Sequence, residues 1–237
     1  MSRYFCHDHP DTLALETRAT DARPGAVVLE RSPFHPGGGG QLTDRGVLRW
    51  SGGETGVTAI EAEGGRLWHL LAEPVEIAGT VQAVVDADFR AMMTQLHTDT
   101  HILNALVFQK FAGALVTGAQ LNADATARMD FDLPELPEGF KDAVEAACNA
   151  EVGHDRRIDV RVLPRAEAFE LPDIIRTATN LVPPEVAEVR IVDIVGLDQQ
   201  ADGGTHVAST SHIGKIAVAK IENKGRGFRR LRIRITD

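Results

Sequence analysis

The sequence is poor in sulfur and in rings, with two cysteines in 237 residues and 5% aromatic residues. Cys6 and Cys148 can close at most one bridge, which excludes a disulfide framework, and both are expected as free thiols in a reducing cytoplasm. So few rings also leave little for recognition of nucleic acid by rows of stacked bases. No apolar run approaches the roughly 18 to 20 residues that a membrane-spanning helix needs, and residues 1–9 hold no apolar stretch of the kind a secretory signal carries. Internal repeats and low-complexity linkers are missing too. Cations are in short supply: 25 Lys and Arg face 34 Asp and Glu, and a net charge of −9 argues at first against a polyanionic partner.

What is present is enough for a folded chain. Hydrophobic residues make up 43% and charged residues 25%, a composition for one large or two small globular domains. The charge is unevenly spread. Eight of the 25 cations but only two of the 34 acids lie in residues 215–237, a local +6 that leaves −15 on residues 1–214. Such asymmetry points to a polyanion at one end of the molecule or to a solvated basic strand.

The pattern predicts an α+β protein. Residues 26–30, 46–50, 56–63, 66–71 and 80–85 are rich in Val, Ile and Leu and are punctuated by Gly, Pro, Asp and Ser, which predicts a small antiparallel β-barrel over residues 1–86. From Asp86 the period changes. Asp86 or Asp88 caps a helix whose apolar positions Phe89, Met92, Met93, Leu96, Leu103, Val107 and Phe111 share one face, ending near Ala112-Gly113. Residues 87–237 are expected to form a two-layer domain with a mainly antiparallel sheet. Its strands are predicted over 128–133, 158–163, 189–195, 215–221 and 229–235, with a helix over 137–151.

Inside the first helix His97 and His101 stand four residues apart, the spacing at which two imidazoles from one face can share a metal ion. The pair falls about 110° from the centre of the apolar stripe, at the edge of the buried face, with Arg90, Thr94, Asn104 and Phe108 in the same sector. Asp99 points to the opposite side. A zinc protease of the HExxH type has a glutamate after its first histidine; Thr98 stands there, which disfavours that chemistry. A hundred residues later Asp202 and His206 are again four apart, with Gly203 and Gly204 between them to let the backbone turn. Three imidazoles and a carboxylate make a zinc set; two unconnected pairs of buried and turn residues are the alternative.

Together these segments resemble the alanyl-tRNA editing family, which comprises the editing domain of alanyl-tRNA synthetases and its freestanding relatives. HTDTH at 97–101 and DGGTHVASTSHIG at 202–214 match the family's HxxxH helix and its CGGTHV…T…IG segment. Phe34 to Gln41, with Asp44 and Gly46, is similar to the FYPEGGGQ…D.G segment, residues 127–131 to the RxDF strand, and Arg229 to Ile233 to the basic closing strand. The resemblance implies a trans-editing hydrolase, most of all for seryl-tRNA(Ala), with one zinc ion held by His97, His101, His206 and the residue at the cysteine position. It also implies that Gly37, Gly38, Gly39, Gly40 and Gln41 pack near the editing site and help place the tRNA end.

On this reading Thr100 recognises the serine hydroxyl, the backbone N–H groups of Gly203 and Gly204 face the oxyanion, and Thr205 is counted with them among the catalytic residues. Lys224, Arg226, Arg229 and Arg230 contact phosphates of the mischarged tRNA(Ala) acceptor end. No membrane and no nucleotide cofactor are expected. Two departures stand out. Val116 falls where some relatives carry a pocket glutamine, and Asp202 replaces the family cysteine, either as a zinc ligand, as a residue hydrogen-bonded behind the ligands, or in a site that has lost its metal. A tRNA-binding protein without catalysis and a zinc hydrolase of another small ester are the competing readings.

Overall fold

A computed structural model describes residues 4–111 and 113–236. The chain divides into two compact units. One holds Leu42–Met92 and the residues before Gly39, the other Gly39–Gln41 and the chain from Met93 onward.

The first unit opens with a single turn, α1 (Phe5–Asp8), and continues into β1 (Ala14–Arg23), β2 (Ala26–Leu29), β3 (Gly46–Trp50), β4 (Gly53–Glu63), β5 (Arg66–Leu71) and β6 (Gly79–Val85). Among the described residues these close into a six-stranded barrel in the order β1-β2-β5-β4-β3-β6, every pairing antiparallel. Val27, Leu48, Val57, Val81 and Ala83 from the strands and Phe34 from the segment after β2 pack together as one buried hydrophobic core. The expected barrel is therefore present. β1 was not among the predicted strands: only Thr17 of its ten residues is buried, so no apolar alternation marks it, and pairing with both β2 and β6 makes it a strand.

Two buried polar groups hold this unit. Asp44 accepts from the His35 backbone N–H at 2.6 Å and from Arg90 Nε at 2.9 Å, and Arg90 Nη2 reaches the Pro33 carbonyl at 2.8 Å, so the carboxylate and the guanidinium are both satisfied inside the unit. His69 is fully buried between the Val27 carbonyl, 3.2 Å from Nδ1, and Ser32 Oγ, 2.6 Å from Nε2. A carbonyl only accepts, so Nδ1 carries the proton and Ser32 donates to Nε2.

The helix α2 (Ala87–Lys110) follows, its first turn capped by Asp86, whose Oδ1 accepts from the Phe89 N–H at 3.1 Å. It ends at Lys110, close to the expected Ala112-Gly113, of which Ala112 falls outside the described residues and Gly113 has φ +76°. The predicted one-sided stripe is not what the structure has: residues 96–107 are all buried. Asp99, expected on the far side, is wholly buried, and its carboxyl oxygens have no hydrogen-bond partner among the described residues. Burial without a partner raises its carboxyl well above the usual range and keeps it neutral.

In the second unit β7 (Val116–Leu121) and β8 (Thr126–Asp132) precede α3 (Phe140–Gly153), β9 (Ile158–Pro164), the turn α4 (Arg165–Ala168), β10 (Glu188–Ile194), β11 (Asp198–Ala201), β12 (Lys215–Asn223) and β13 (Phe228–Thr236). Among the described residues the strands form two antiparallel sheets, β12-β13-β8-β7 and β11-β10-β9, where one sheet was expected. The short polar strands β7 and β11 escaped prediction for the same reason as β1. Helix α3 covers the edge strand β12 and satisfies its backbone: Asn149 bonds both the carbonyl and the N–H of Ile216, at 2.8 and 3.0 Å, and Glu145 accepts from the Val218 N–H at 2.7 Å.

Burial lowers the His69 pKa from 6.5 to about 4, outweighing its backbone hydrogen bonds. The unfolded chain thus takes up this proton first on acidification, so the stability His69 confers is complete above pH 6.5 and is lost as pH falls toward 4. The shift corresponds to about 3 kcal/mol. Denaturant melts between pH 7.5 and 4.5 should show that loss, and His69→Gln should flatten it; an unchanged pH slope in the variant would refute the assignment.

Candidate metal centre

Each half of the centre is a local consequence of sequence. Helical spacing sets His97 and His101 one above the other on α2, their ring centroids 5.1 Å apart. The loop that leaves β11 is anchored at its start by mutual bonds with β10: the Asp202 N–H donates to the Arg190 carbonyl at 3.1 Å, and Arg190 Nη1 donates to the Asp202 carbonyl at 3.1 Å. The loop then turns through Gly203 and Gly204 and delivers His206, whose ring lies 4.7 Å from those of both His97 and His101. Gly204 is obligatory here, because a Cβ on it would lie 1.8 Å from His97 Cε1.

The four side chains His97, His101, Asp202 and His206 converge so that one donor atom from each lies within 4.8 Å of the others. Nε2 of His97 and of His101 face Asp202 Oδ1 at 3.6 and 3.7 Å, and His206 Nε2 lies 3.0 Å from Oδ2. Oδ2 also accepts from the Gly204 N–H at 2.5 Å. Burial opposes ionisation of the Asp202 carboxyl, but the imidazoles of His97, His101 and His206 around it hold it well below the usual carboxylate range. Burial also pushes His206 down to about 4 against the pull of Asp202. At neutral pH the centre therefore presents a carboxylate beside a neutral imidazole, the protonation state in which these groups bind a metal. Three nitrogens and one carboxylate oxygen, buried and convergent, fit zinc or a similar borderline divalent cation.

Around the donors lies a polar layer that the sequence did not disclose. Thr98 Oγ1 donates to the Thr94 carbonyl at 2.9 Å, accepts from the Val207 N–H at 3.2 Å and lies 3.2 Å from His206 Nδ1. Behind β11, Asn104 donates to Gln200 Oε1 at 3.1 Å and Gln200 to Asp198 Oδ2 at 2.5 Å; Arg176 closes the chain on Asp198, its guanidinium 3.8 Å from the Phe108 ring centre. Thr94, Asn104 and Phe108 are legible in the helix arithmetic as neighbours of the histidines. Thr98, Arg176 and Arg190 are not, since their partners lie elsewhere in the chain.

The remaining expected residues fall as follows. Thr100 is buried and donates its hydroxyl to the His97 carbonyl at 2.7 Å. The Gly204 N–H, expected to face an oxyanion, is engaged by Asp202 instead. Thr205 accepts from Gln41 Nε2 and from Thr94 at 2.9 and 2.8 Å. In the Gly-rich segment Gly40 has φ +96°, accepts from the Leu121 N–H at 2.8 Å, and leaves no room for a Cβ, which would meet the Ala119 carbonyl oxygen at 2.9 Å. Val116 is buried at the start of β7. At the β12–β13 turn Lys224 and Arg226 are exposed, while Arg229 bonds the Pro134 carbonyl at 2.7 Å. Arg230 makes a two-pronged bridge to Asp130, at 2.6 and 2.7 Å, and holds that carboxyl below the usual range.

Residues 189–232 match the family model of the threonyl and alanyl tRNA synthetase second additional domain. The chain is 36% identical over 220 residues to the alanyl-tRNA editing protein AlaX-M of Saccharolobus solfataricus, covering 91% of each. It is 31% identical over 233 residues to the AlaX-M protein of Methanosarcina acetivorans, covering 94% of each. It is also 33% identical over 230 residues to the alanine–tRNA ligase of Cenarchaeum symbiosum, covering 96% of this chain and 25% of the ligase.

Gly204→Ala tests the packing of the centre. The added methyl displaces His97, and the variant should keep its circular dichroism spectrum but lose retention of a divalent ion through gel filtration. Metal content equal to that of the unaltered protein would show that the close approach of Gly204 to His97 is dispensable.

Proposed function

The chain belongs to the alanyl-tRNA editing protein family, and on that premise we propose that it hydrolyses the aminoacyl ester of mischarged tRNA(Ala), seryl-tRNA(Ala) before others. The observation that carries the reading is the convergence of His97, His101, Asp202 and His206. In this reading they hold one zinc ion, Asp202 taking the place of the family cysteine as a ligand. Zinc, when bound, supplies Lewis acidity that polarises an ester carbonyl and lowers the pKa of water. No protein nucleophile is then required.

A pocket shaped for alanine excludes serine poorly, because one added hydroxyl changes binding by only a few kcal/mol. A second, hydrolytic site corrects the error if it rewards that hydroxyl. The Thr100 hydroxyl hydrogen is committed to the His97 carbonyl, so its oxygen is left as an acceptor for the serine O–H, which alanine cannot offer. Two of the four donors, the Asp202 carboxylate and the His206 imidazole, are deprotonated at neutral pH. Lys224, Arg226 and Arg229 are the phosphate contacts. Arg230, bridged to Asp130, holds the strand that presents them.

Two measurements test this. Incubated with seryl-, glycyl- and alanyl-tRNA(Ala), the protein should release serine fastest and leave alanine esterified, and a chelator should stop the reaction; no release from any of the three would refute the proposal. A Lys224→Glu, Arg226→Glu double variant should bind tRNA more weakly, with the slope of log K against log salt reduced by about 2 and the metal content unchanged. An unaltered slope would place the tRNA elsewhere.

A further inference from the structure

The Gly-rich segment ends on Gln41, and the expected part of that residue was to help place the tRNA end. Its surroundings point inward. Gln41 is 5% exposed, and both ends of its amide are taken up. Oε1 lies 3.0 Å from the Thr205 backbone nitrogen and 2.8 Å from His97 Nδ1, while Nε2 donates to Thr205 Oγ1 at 2.9 Å. Thr205 Oγ1 is in turn 2.8 Å from Thr94 Oγ1.

The orientation of this amide follows from one group that has no choice. A backbone N–H can only donate, so the atom facing Thr205 N is the carbonyl oxygen; the flipped amide would set NH2 against N–H. Once Oε1 is so assigned, the hydrogen between it and His97 Nδ1 must sit on the imidazole. His97 then carries its proton on Nδ1 and its lone pair on Nε2, the nitrogen that faces Asp202 Oδ1. His206 is held from two sides, its Nδ1 3.2 Å from Thr98 Oγ1 and its Nε2 3.0 Å from Asp202 Oδ2.

We propose that Gln41 is a positioning residue of the metal centre: through its Oε1 it selects the His97 tautomer and ring orientation that present Nε2 to a divalent cation such as zinc. The inference rests on the reading that the four side chains hold a metal. It gives the Gly-rich segment a structural purpose apart from tRNA. Gly40, with no Cβ to meet Ala119, lets the segment lie along β7, and that placement brings Gln41 within reach of both Thr205 and His97. Removing the acceptor frees His97 to hold its proton on Nε2, and metal binding must then move that proton first; loss of such an outer hydrogen bond commonly costs ten- to a hundredfold in metal affinity.

The test compares the unaltered protein with Gln41→Leu, Gln41→Met and Gln41→Glu, all full length. Long-range proton–nitrogen spectra of the metal-free, nitrogen-15-labelled proteins report the His97 tautomer, and competition with a chromophoric chelator reports the zinc affinity. The unaltered protein and Gln41→Glu, which keeps an acceptor oxygen, should show His97 protonated on Nδ1 and bind zinc within about threefold of each other. Gln41→Leu and Gln41→Met should shift His97 toward the Nε2–H form and bind zinc about ten- to a hundredfold more weakly. Should one apolar variant fail to fold, the other carries the comparison. His97 protonated on Nε2 in the unaltered protein, unchanged zinc affinity in the apolar variants, or an equal loss in Gln41→Glu would each overturn the inference. A protein that shows the expected tautomers and zinc affinities yet deacylates no tRNA supports the inference while refuting the proposed function.

Discussion

A carboxylate closed away from water among three imidazoles is the constraint that organises the second unit. Burying a charge is costly unless hydrogen bonds and countercharge replace its hydration. Asp202 meets that demand on Oδ2 with the Gly204 N–H and His206 Nε2, and its Oδ1 faces Nε2 of His97 and His101 at 3.6 and 3.7 Å, the side from which a bound cation would supply the countercharge. Because these contacts come from a helix and from a loop about a hundred residues later, satisfying the carboxylate ties α2 to the loop after β11. The glycine at 204 follows from the same demand, since the N–H that reaches Asp202 belongs to the residue against which the His97 ring lies.

The layer outside the donors obeys the same rule of satisfied polar groups. Hydroxyls of Thr94, Thr98, Thr100 and Thr205 all lie on or against α2, and each has a partner. Threonine is a poor helix former, and three of them in seven residues of α2 weaken it locally. Here their hydroxyls bond helix carbonyls or the loop across from them, so the cost is offset by fixing the loop that supplies two donors. Asp99 is the exception. It is buried and neutral on the same helix, a cost that no partner among the described residues offsets.

Much of this was legible in the chain. The period-2 runs with turn residues between them located the barrel strands β2 to β6, and the change of period at Asp86 located α2. The motif spacing brought His97, His101, Asp202 and His206 to notice together. Other parts could not be read. β1, β7 and β11 are polar strands whose conformation comes from the strands beside them. The apolar stripe on α2 suggested a half-exposed helix, but it is buried all round between residues 96 and 107. Hydropathy counts a threonine or an aspartate as exposed even where tertiary contacts satisfy or neutralise it.

The sequence by itself determined which residue types were available and how they repeat locally: histidines one helical turn apart, a Gly-Gly turn between Asp202 and His206, and a basic closing strand in an acidic chain. These are short-range facts, set by helix geometry and by glycine's freedom, and they need no partner. Tertiary structure alone decided the chemistry of those residues. Which nitrogen of His97 holds its proton and whether Arg230 is free or bridged depend on groups 56 and 100 residues away in sequence and about 3 Å away in space, and the charge on Asp202 depends in part on His97 and His101, about a hundred residues away. Protonation and hydrogen bonding are set by those near neighbours, which only the fold supplies.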